Sequence, residues 1–461
     1  MKIRAKVAKM SSLLLGAMSV TTLAFALTAN QTVSATVPGT NYLISVNNTG
    51  NGQGGDQHTY ASGASGSTAV SGDGRFIAFS SDASNLVSGD TNGYPDIFVR
   101  DLKNNITTRI SISTAGIQAD LGAADRTVAM STNGRYIAFA STSTNLISGR
   151  TIPSTQPQIY IRDTITNTTS LATQTGAGTI GNSTGSIGKW AKVGSISSDG
   201  RFLAFSSPYD NLGVTITAAG IHAYLLDRDT GVFQTLDNPT YGVTAVGHLS
   251  MSCDGSLLAL SSTTPMTSDD TDSFLDVFLV DLRNGKKVTN ITVASAIASD
   301  TSGISCNGDY IALESSDNVF DSSAGIPTAN TIVHSYLYDR ANNSFELLDK
   351  STGGVVGNND VAYTGTVVDN YGNAVFVSKA TNLMTTSYST TSYQVWLRSR
   401  GASTTELLSK NSSGTIGNVG SFNSTAISSN GKIATYASNS TNLISSDTNG
   451  KIDAYASLTG L

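Results

Sequence analysis

Three loops of the chain share one spacing of acidic and amide side chains, D-x-[ND]-x-x-x-D. The three sets are Asp90, Asn92 and Asp96; Asp270, Asp272 and Asp276; and Asp447, Asn449 and Asp453. Oxygen donors at alternate positions of a loop suit a hard cation such as calcium, with backbone carbonyls and water completing a shell of about six to eight oxygens. The competing interpretation is that these side chains cap turns by accepting hydrogen bonds from nearby backbone N–H groups.

Histidines are the other residues that could do chemistry, as general acids or bases. The chain contains His58, His222, His248 and His334. No serine or carboxylate accompanies them at a fixed spacing, so the sequence indicates no catalytic triad and we assign no catalytic residue. His222 and His334 occupy the position that Asp96 occupies in the repeat described below, which favours a structural role.

All of these residues belong to a sequence repeat, which changes the meaning of each position in it. Six segments share a turn glycine: SGDGRFIAF, STNGRYIAF, SSDGRFLAF, SCDGSLLAL, SCNGDYIAL and SSNGKIATY. A degenerate seventh copy reads DNYGNAVFV. Because Asp-Gly or Asn-Gly between two apolar runs favours a tight hairpin turn, each copy predicts a hairpin at its glycine.

Each copy predicts four strands, which we name a to d. The residue four positions before the glycine is apolar and the residue before that is mostly small, as in Met130 and Ala129. Small residues suit the innermost strand of a radial array. Strand b is apolar on consecutive residues, so both of its faces must be covered. Strand c carries an aromatic residue, such as Phe98, in every copy. The sequence therefore predicts an all-β, seven-bladed β-propeller of four-stranded blades over residues 36–461.

The last copy of the repeat lacks strand d, because Leu461 follows shortly after strand c. The segment from Asn41 to Ser45 matches a strand d and precedes the first copy. We expect it to pair as the outer strand of the last blade and to close the ring without a free edge. An open solenoid, the competing architecture, would not divide one repeat between its two ends.

One repeat position varies while the interior positions stay uniform. Eight residues before the turn glycines lie Gly66, Arg126, Lys192, Gly247, Asp300, Thr364 and Asn423. Variation on a constant scaffold is how propellers carry binding sites. We therefore expect Arg126, Lys192 and Asp300 to line a ligand-binding channel mouth, and His248 falls near it. Arg126 and Lys192 would make one side positive and attract an anionic ligand. The alternative is that these residues are solvated strand ends.

The two cysteines, Cys253 and Cys306, occupy the same repeat position in adjacent blades 4 and 5, two residues before the turn glycine. In an oxidising compartment they could form one disulfide near the axis, where blades are closest. The alternative is two free thiols, since bridging requires Cα atoms within about 7 Å. The cysteines lack the His/Cys spacing of a zinc site.

The signature S-x-[DN]-G-[RK]-x-x-A-F and the Asn-Leu pair of the next loop, first seen as Asn85-Leu86, resemble the TolB-type, WD-like β-propeller repeat of bacteria. The resemblance covers nearly all of residues 36–461 and implies the propeller fold. It implies no single function, because the family includes periplasmic scaffolds and peptidase propeller domains. Blade 6 departs from the pattern at Tyr371, and blades 4 and 5 lack the Asn-Leu pair.

Two further resemblances bear on chemistry. The loop GDTNGYPDIFV is similar to the calcium loops of integrin-type propeller repeats, although it lacks their additional Asp-Gly. Sialidase propellers carry an Asp-box, S-x-D-x-G-x-x-W, with one residue between Asp and Gly. In SSDGRFLAF the Asp and the Gly are adjacent, so the resemblance to that glycosidase motif fails at the turn itself.

The N-terminus is typical of a secretory signal peptide. Four basic residues between Lys2 and Lys9 precede an apolar stretch from Leu13 to Ala29 and a small-residue segment ending at Ala35. We expect residues 1–35 to be removed, the alternative being a retained membrane anchor. Removal takes away four basic groups and no acidic group, so the formal charge changes from −6 to −10. This charge argues against nucleic acid as a partner.

These observations predict an exported, periplasmic or secreted monomer without a membrane span after cleavage. The leading hypothesis is a non-catalytic binding or scaffold propeller that recognises a protein or an envelope polymer. The alternative is a carbohydrate-active or other hydrolytic enzyme with its site at the channel mouth. A carboxylate, a histidine and a tyrosine or arginine converging at one face would favour the enzyme.

Overall fold

The computed structural model describes residues 39–48, 59–60, 70–183, 191–216, 220–236, 246–295, 297–324, 326, 331–363, 365–384 and 392–461. They form seven four-stranded antiparallel sheets, which are the blades of a propeller. The predicted seven-bladed architecture is confirmed. Within the described ranges, no helix is long and apolar enough to cross a membrane.

The strands follow one another in the order a, b, c, d in blades 1 to 4. Strand β1 (Asn41–Leu43) precedes blade 1. Blade 1 comprises β2 (Thr59–Tyr60), β3 (Phe76–Ser81), β4 (Asp96–Asp101) and β5 (Ile106–Arg109). Blade 2 comprises β6 (Ala123–Met130), β7 (Tyr136–Ser141), β8 (Gln158–Asp163) and β9 (Thr168–Leu171). Blade 3 comprises β10 (Lys192–Ile196), β11 (Phe202–Ser207), β12 (His222–Asp227) and β13 (Val232–Thr235). Blade 4 comprises β14 (Val246–Met251), β15 (Leu257–Ser262), β16 (Asp276–Asp281) and β17 (Lys287–Asn290).

The remaining blades repeat this order, except that the last one borrows its fourth strand. Blade 5 comprises β18 (Ser299–Ile304), β19 (Tyr310–Ser315), β20 (His334–Asp339) and β21 (Ser344–Leu347), with a 3-10 helix (Val319–Ala324) between β19 and β20. Blade 6 comprises β22 (Val367–Val368), β23 (Ala374–Ser378), β24 (Gln394–Ser399) and β25 (Thr404–Leu407). Blade 7 comprises β26 (Ser421–Ile427), β27 (Ile433–Ser438) and β28 (Asp453–Leu458), completed by β1.

The N-terminal segment closes the ring as predicted. Strand β1 pairs antiparallel with β28, with Asn41 opposite Ser457 and Leu43 opposite Tyr455. The backbone N–H of Ile44 donates to the carbonyl of Ala454 at 2.8 Å, and the Ile44 side chain is buried in the core. Strand d of blade 7 therefore comes from the opposite end of the chain, so β28 has no free edge.

The repeated signature builds the turn between strands a and b. In blade 1, Asp73 Oδ1 accepts hydrogen bonds from Ser71 Oγ at 2.6 Å and from the backbone N–H of Arg75 at 2.9 Å. Gly74 has a φ of 78°, a conformation that favours glycine. Arg75 then binds Asp101 at the end of strand c through two hydrogen bonds of 3.0 and 2.6 Å. The pairs Arg135–Asp163 and Arg201–Asp227 repeat this contact in blades 2 and 3.

The Asn-Leu pair locks neighbouring blades together. Asn145 Nδ2 donates to the carbonyl of Gln118 at 2.8 Å, and Asn145 Oδ1 accepts from the N–H of Asp120 at 3.2 Å. Leu146 beside it is buried. Equivalent donations from the Asn side chain to the preceding blade come from Asn211, Asn382 and Asn442. The residues of this motif therefore stabilise the contacts between blades.

The two ends of the blades differ. We call the end that carries the a–b and c–d turns the turn end, and the opposite end the loop end. At the turn end, backbone hydrogen bonds link neighbouring blades around the axis: Gly72 N–H to Thr132 O at 2.7 Å, Ser198 N–H to Cys253 O at 2.7 Å, and Cys253 N–H to Cys306 O at 2.8 Å. Strand-a residues line a cavity of about 30 Å³ there, which has room for little more than water. The turn end of the channel is therefore closed to larger molecules.

The two cysteines lie within this closure. The Cα atoms of Cys253 and Cys306 are 4.6 Å apart, and their sulfur atoms are joined at 2.00 Å. Thr132 Oγ1 of blade 2 lies 2.8 Å from Cys253 Sγ of blade 4. The sulfur pair of blades 4 and 5 therefore touches blade 2, two blades away from blade 4.

Candidate functional site at the loop end

A histidine and a carboxylate from adjacent blades meet at the loop end of the inner strands. His248 lies on β14 of blade 4 and Asp300 on β18 of blade 5, and His248 Nδ1 is 3.1 Å from Asp300 Oδ1. The His248 side chain is 18% exposed. Ser261 Oγ donates to the same carboxylate oxygen, and its oxygen accepts from the backbone N–H of His248 at 3.2 Å. The pair is therefore held in place by its neighbours.

A second carboxylate extends this polar cluster into blades 5 and 6. Glu314 on β19 stands opposite Asp300 in the strand register and is fully buried, with 0% exposure. Its Oε1 accepts from the backbone N–H of Thr366 at 3.1 Å. Thr366 Oγ1 lies 2.8 Å from Ser335 Oγ of blade 5. Buried carboxylates require such hydrogen bonds, because desolvation of an unpaired charge is costly.

Tyr363 lies beside these carboxylates and reaches solvent. Its side chain is 47% exposed, and it immediately precedes the start of blade 6. Burial of its inner part raises the pKa of Tyr363, and the negative charges of Asp300, Asp360 and Glu314 raise it further. The blade 4 to 6 sector of the loop end therefore combines His248, two carboxylates and a protonated phenol, and it carries negative potential.

The predicted mouth residues have different surroundings. Lys192 begins β10 of blade 3 and is exposed at the loop end. Arg126 lies on β6 of blade 2, but its side chain is outside the described residues, as are the side chain of Asn423 and all of Gly66 and Thr364. Gly247 lies on β14 of blade 4 and has no side chain. Asp300 was expected at the open mouth, but it is largely buried because it binds His248 and Ser261.

Sequence reasoning missed Glu314, although the repeat contains a signal for it. The next-to-last position of strand b holds only small or apolar residues in the other six blades: Ser80, Ala140, Ser206, Ser261, Val377 and Ala437. A carboxylate at an interior position of one copy contradicts that pattern, since an unpaired buried charge destabilises a fold. Such an exception within a repeat indicates a local requirement.

The other two described histidines, His222 and His334, are buried inside blades 3 and 5. His334 and Asp349 are both buried, and His334 Nδ1 is 2.7 Å from Asp349 Oδ2. Burial raises the pKa of Asp349, and the contact with His334 opposes that shift. His222 is also buried, against the ring of Tyr224. Both histidines are thus buried within their blades, and His58 lies outside the described residues.

The acidic loop of blade 1 is neutralised from within. Arg109 Nη1 lies 3.5 Å from Asp90 Oδ1 and 3.3 Å from Asp96 Oδ2. Gln118 Nε2 donates to the same two oxygens at 2.8 and 3.0 Å. Asn92 caps its own turn by accepting from the N–H of Tyr94 at 2.9 Å. A guanidinium and an amide therefore take the place between the carboxylates where a metal ion would lie.

Hydroxyl and amide donors bind most of the acidic loop of blade 7, although Asp447 Oδ1 is buried without a hydrogen-bond partner. Asp453 accepts from Ser45 Oγ at 2.5 Å and from Asn449 Nδ2 at 2.9 Å. Asp447 Oδ2 accepts from Tyr455 Oη at 2.5 Å. Burial raises the pKa of Asp453 to about 7, and the hydrogen bonds from Ser45 and Asn449 oppose that shift. This loop contains two carboxylates rather than the three of blade 4.

The acidic loop of blade 4 brings together Asp270, Asp272 and Asp276, each offering one oxygen within 4.8 Å of the others. Thr292 Oγ1 donates to Asp276 Oδ1, and the N–H of Phe274 donates to Asp272 Oδ1 at 2.8 Å. Burial raises the pKa of Asp276 and of Asp270, and the neighbouring carboxylates add to both shifts. Three mutually repelling carboxylates therefore share this site.

In fold, the chain is similar to oligogalacturonate lyase from Vibrio parahaemolyticus, with a TM-score of 0.53 and 12% identity over 87% of this chain and 91% of that chain. An oligogalacturonate lyase in complex with manganese gives a TM-score of 0.52 and 11% identity over 88% and 91%. TolB from Acinetobacter baumannii gives a TM-score of 0.39 and 13% identity over 84% and 80%. No protein-family model and no curated protein matches the chain. At these identities the two lyase similarities describe the fold alone.

Proposed function

We propose that this protein is an exported, non-catalytic binding propeller that recognises a protein or a cell-envelope polymer at the loop end of its channel. The observation that carries the proposal is the difference between the two ends of the channel. The turn end is closed by hydrogen bonds between blades and by the sulfur pair of Cys253 and Cys306. In the part of the chain that the structure describes, the turn end therefore gives no access to the axis for a ligand larger than water, which leaves the loop end as the side of entry.

The loop end also carries the chemistry that recognition requires. Asp300 and Glu314 of blade 5 are fixed by hydrogen bonds from blades 4 and 6, so their charges are held in place beneath the mouth. Lys192 of blade 3 is exposed on another part of the same end, and Arg126 occupies the equivalent strand position in blade 2. The exposed lysine and the buried carboxylates beneath the blade 4 to 6 sector give the mouth potential of both signs, which favours the steering of a ligand.

Capture from envelope extracts tests this function. The immobilised full chain is compared with the double variant Arg126→Ala and Lys192→Ala, and captured material is identified by mass spectrometry. A matched control, Lys103→Ala with Arg283→Ala, removes two positive charges from the turn end. We expect the loop-end variant to lose capture and the control to retain it. Equal capture by both variants would remove Arg126 and Lys192 from the binding surface.

An enzyme acting on a carbohydrate polymer is the second candidate, and the contact between His248 and Asp300 favours it. A carboxylate on one ring nitrogen orients a histidine and leaves the other nitrogen to exchange protons. Tyr363 adds a phenol next to both carboxylates. Acidic oligosaccharides are the first substrates to test, given the fold similarity to oligogalacturonate lyase.

The manganese bound by the second lyase of similar fold does not strengthen the case for an enzyme here. Among the described residues, the one cluster of metal-ligating side chains contains three aspartates and no histidine, and it lies in the blade 4 loop. We therefore derive no step through a metal. The test is a screen of acidic and neutral polysaccharides for new reducing or unsaturated ends. His248→Gln should abolish any such activity, whereas an active protein that is unaffected by this change would exclude His248 as its acid or base.

A further inference from the structure

The acidic loop of blade 4 has no positive charge of its own. Oxygens of Asp270, Asp272 and Asp276 lie within 4.8 Å of one another. No Lys or Arg among the described residues forms an ion pair with any of the three. Like charges this close repel strongly unless a proton or a cation lies between them.

Asp270 supplies an independent observation that points to a ligand. Its side chain belongs to a residue that is only 9% exposed, and its Oδ1 is buried without a hydrogen-bond partner. A buried carboxylate oxygen in that state loses its hydration and gains nothing in return. Coordination of a cation would remove this cost, because the oxygen would gain a ligand bond in place of water.

The spacing of the three oxygens fits calcium. Calcium binds oxygen at about 2.3 to 2.6 Å, so two oxygens on one ion lie at most about 5 Å apart. The three carboxylate oxygens meet that limit, and they are the hard donors that calcium prefers. Backbone carbonyls and water would supply the remaining ligands.

The equivalent acidic loop of blade 1 has a positively charged side chain between its carboxylates, and the equivalent residue of blade 4 is neutral. Arg109 stands opposite Phe98 in the register of strands c and d, and its guanidinium lies between Asp90 and Asp96. In blade 4 the residue opposite Phe278 is Asn290, which is neutral. The positive charge that the chain supplies in blade 1 is therefore missing in blade 4.

We propose that Asp270, Asp272 and Asp276 bind one calcium ion, in the place that the Arg109 guanidinium occupies in blade 1. The ion ties the b–c loop of blade 4 to the first residue of strand c, as Arg109 does in blade 1. Asp276 begins β16, so calcium would hold this loop in its position at the loop end.

Calcium titration of the full chain, stripped with a chelator and followed by calorimetry and by melting temperature, tests the proposal. We expect one saturable calcium ion per chain and a melting temperature that rises with calcium. Asp270→Asn and Asp276→Asn should each weaken calcium binding by about tenfold or more, because carboxylate charge sets the affinity. Asp90→Asn in blade 1 is the matched control and should leave calcium binding unchanged.

Asn290→Arg keeps the test decisive if a carboxylate variant fails to fold. It introduces the guanidinium of blade 1 into blade 4, so the variant should fold, lose calcium binding and melt at a calcium-independent temperature. Calcium binding that survives both Asn290→Arg and Asp270→Asn would overturn the proposal. An absence of saturable binding up to about 10 mM calcium, well above the range of extracellular calcium modules, would also overturn it. Tighter binding of magnesium than of calcium would contradict the assignment of the ion.

Discussion

The pKa values of aspartates are shifted in opposite directions at the two ends of the blades. At the turn end, the guanidinium groups of Arg135 and Arg201 lower the pKa of Asp163 and Asp227. At the loop end, burial raises the pKa of the aspartates that begin strand c in blades 1, 4 and 7, which are Asp96, Asp276 and Asp453. The carboxylates of the turn end are paired with arginine and stabilise the fold in their charged form, whereas burial at the loop end disfavours the charged form of these three aspartates.

Two aspartates, Asp369 and Asp120, have pKa shifts opposite to those of their end of the blades, and their hydrogen bonds explain why. Burial raises the pKa of Asp369, at the turn end of blade 6, although hydrogen bonds from Asn373, Tyr371 and Gly372 oppose that shift. No arginine in the described part of the chain forms an ion pair with Asp369. The pKa of Asp120 near the loop end is lowered, because hydrogen bonds from Thr144 outweigh its burial. The direction of the shift therefore follows the donors that each site supplies, and the repeat supplies arginine mainly at the turn end.

The largest expected effect comes from the closure of the ring. A chain without residues 41–45 loses the outer strand of blade 7 and the fully buried Ile44 side chain. We expect its free energy of unfolding to fall by about 3 to 5 kcal/mol and aggregation to increase, because an edge is exposed. Urea unfolding and size-exclusion chromatography measure both. Removal of the exposed Leu461 is the control, and equal stability of the two truncated chains would refute the role of β1.

The sulfur pair at the turn end should have the next largest effect. A disulfide across 53 residues should stabilise the protein by about 2 to 4 kcal/mol, so Cys253→Ser with Cys306→Ser lowers the free energy of unfolding by that amount. Reduced wild-type protein should match the double variant. Thiol labelling of the denatured, unreduced protein provides the direct check: we expect no free thiol, and two free thiols per chain would contradict the disulfide.

A turn-end carboxylate should lose its contribution in acid. Asp163 accepts from Arg135 and from the backbone N–H groups of Ile165 and Thr166. Because folding lowers its pKa, its contribution is present above the unfolded value of about 3.9 and is lost as the pH falls through the folded value. Asp163→Asn should therefore cost about 1 to 2 kcal/mol at pH 7 and clearly less near pH 2. A cost that does not change between these pH values would refute this account.

A loop-end carboxylate should show the opposite dependence, with the smallest effect. The folded pKa of Asp453 is raised to about 7, so wild-type protein loses stability as the pH rises from about 4 to 7. Asp453→Asn removes that loss. The free energy of unfolding of the variant minus that of wild type should therefore be about 1 kcal/mol larger at pH 8 than at pH 5, measured by urea unfolding with a chelator present. The same difference at both pH values would contradict the raised pKa.

The repeat made most of the fold predictable. Turn glycines such as Gly74, the apolar inner position of strand a and the aromatic of strand c each recur in register, so blade number and strand order follow from the sequence. The closure by residues 41–45 was predictable for the same reason, since one repeat unit was incomplete without it. A pattern with a fixed period predicts the fold because each blade packs against its neighbours in the same way.

The candidate site was predictable only in part, because its contacts cross blades. His248 and Asp300 are 52 positions apart, and no local pattern indicates that they meet. Arg109 neutralises Asp90 and Asp96 from strand d, so the spacing of the acidic loop alone could not separate blade 1 from blade 4. Comparison of the strand-d residues Arg109 and Asn290 would have separated them.

The division between a structural turn end and a binding loop end can be tested by one measurement. A photo-cross-linking amino acid is placed at Val419, which is exposed at the loop end just before strand a of blade 7, or at Lys103, which is exposed at the turn end. Each full-chain protein is irradiated in envelope extract, and cross-linked material is quantified by mass spectrometry. We expect specific cross-links from position 419 and none above background from position 103. Specific cross-links from position 103 alone would contradict the division, because they would place the partner at the closed end.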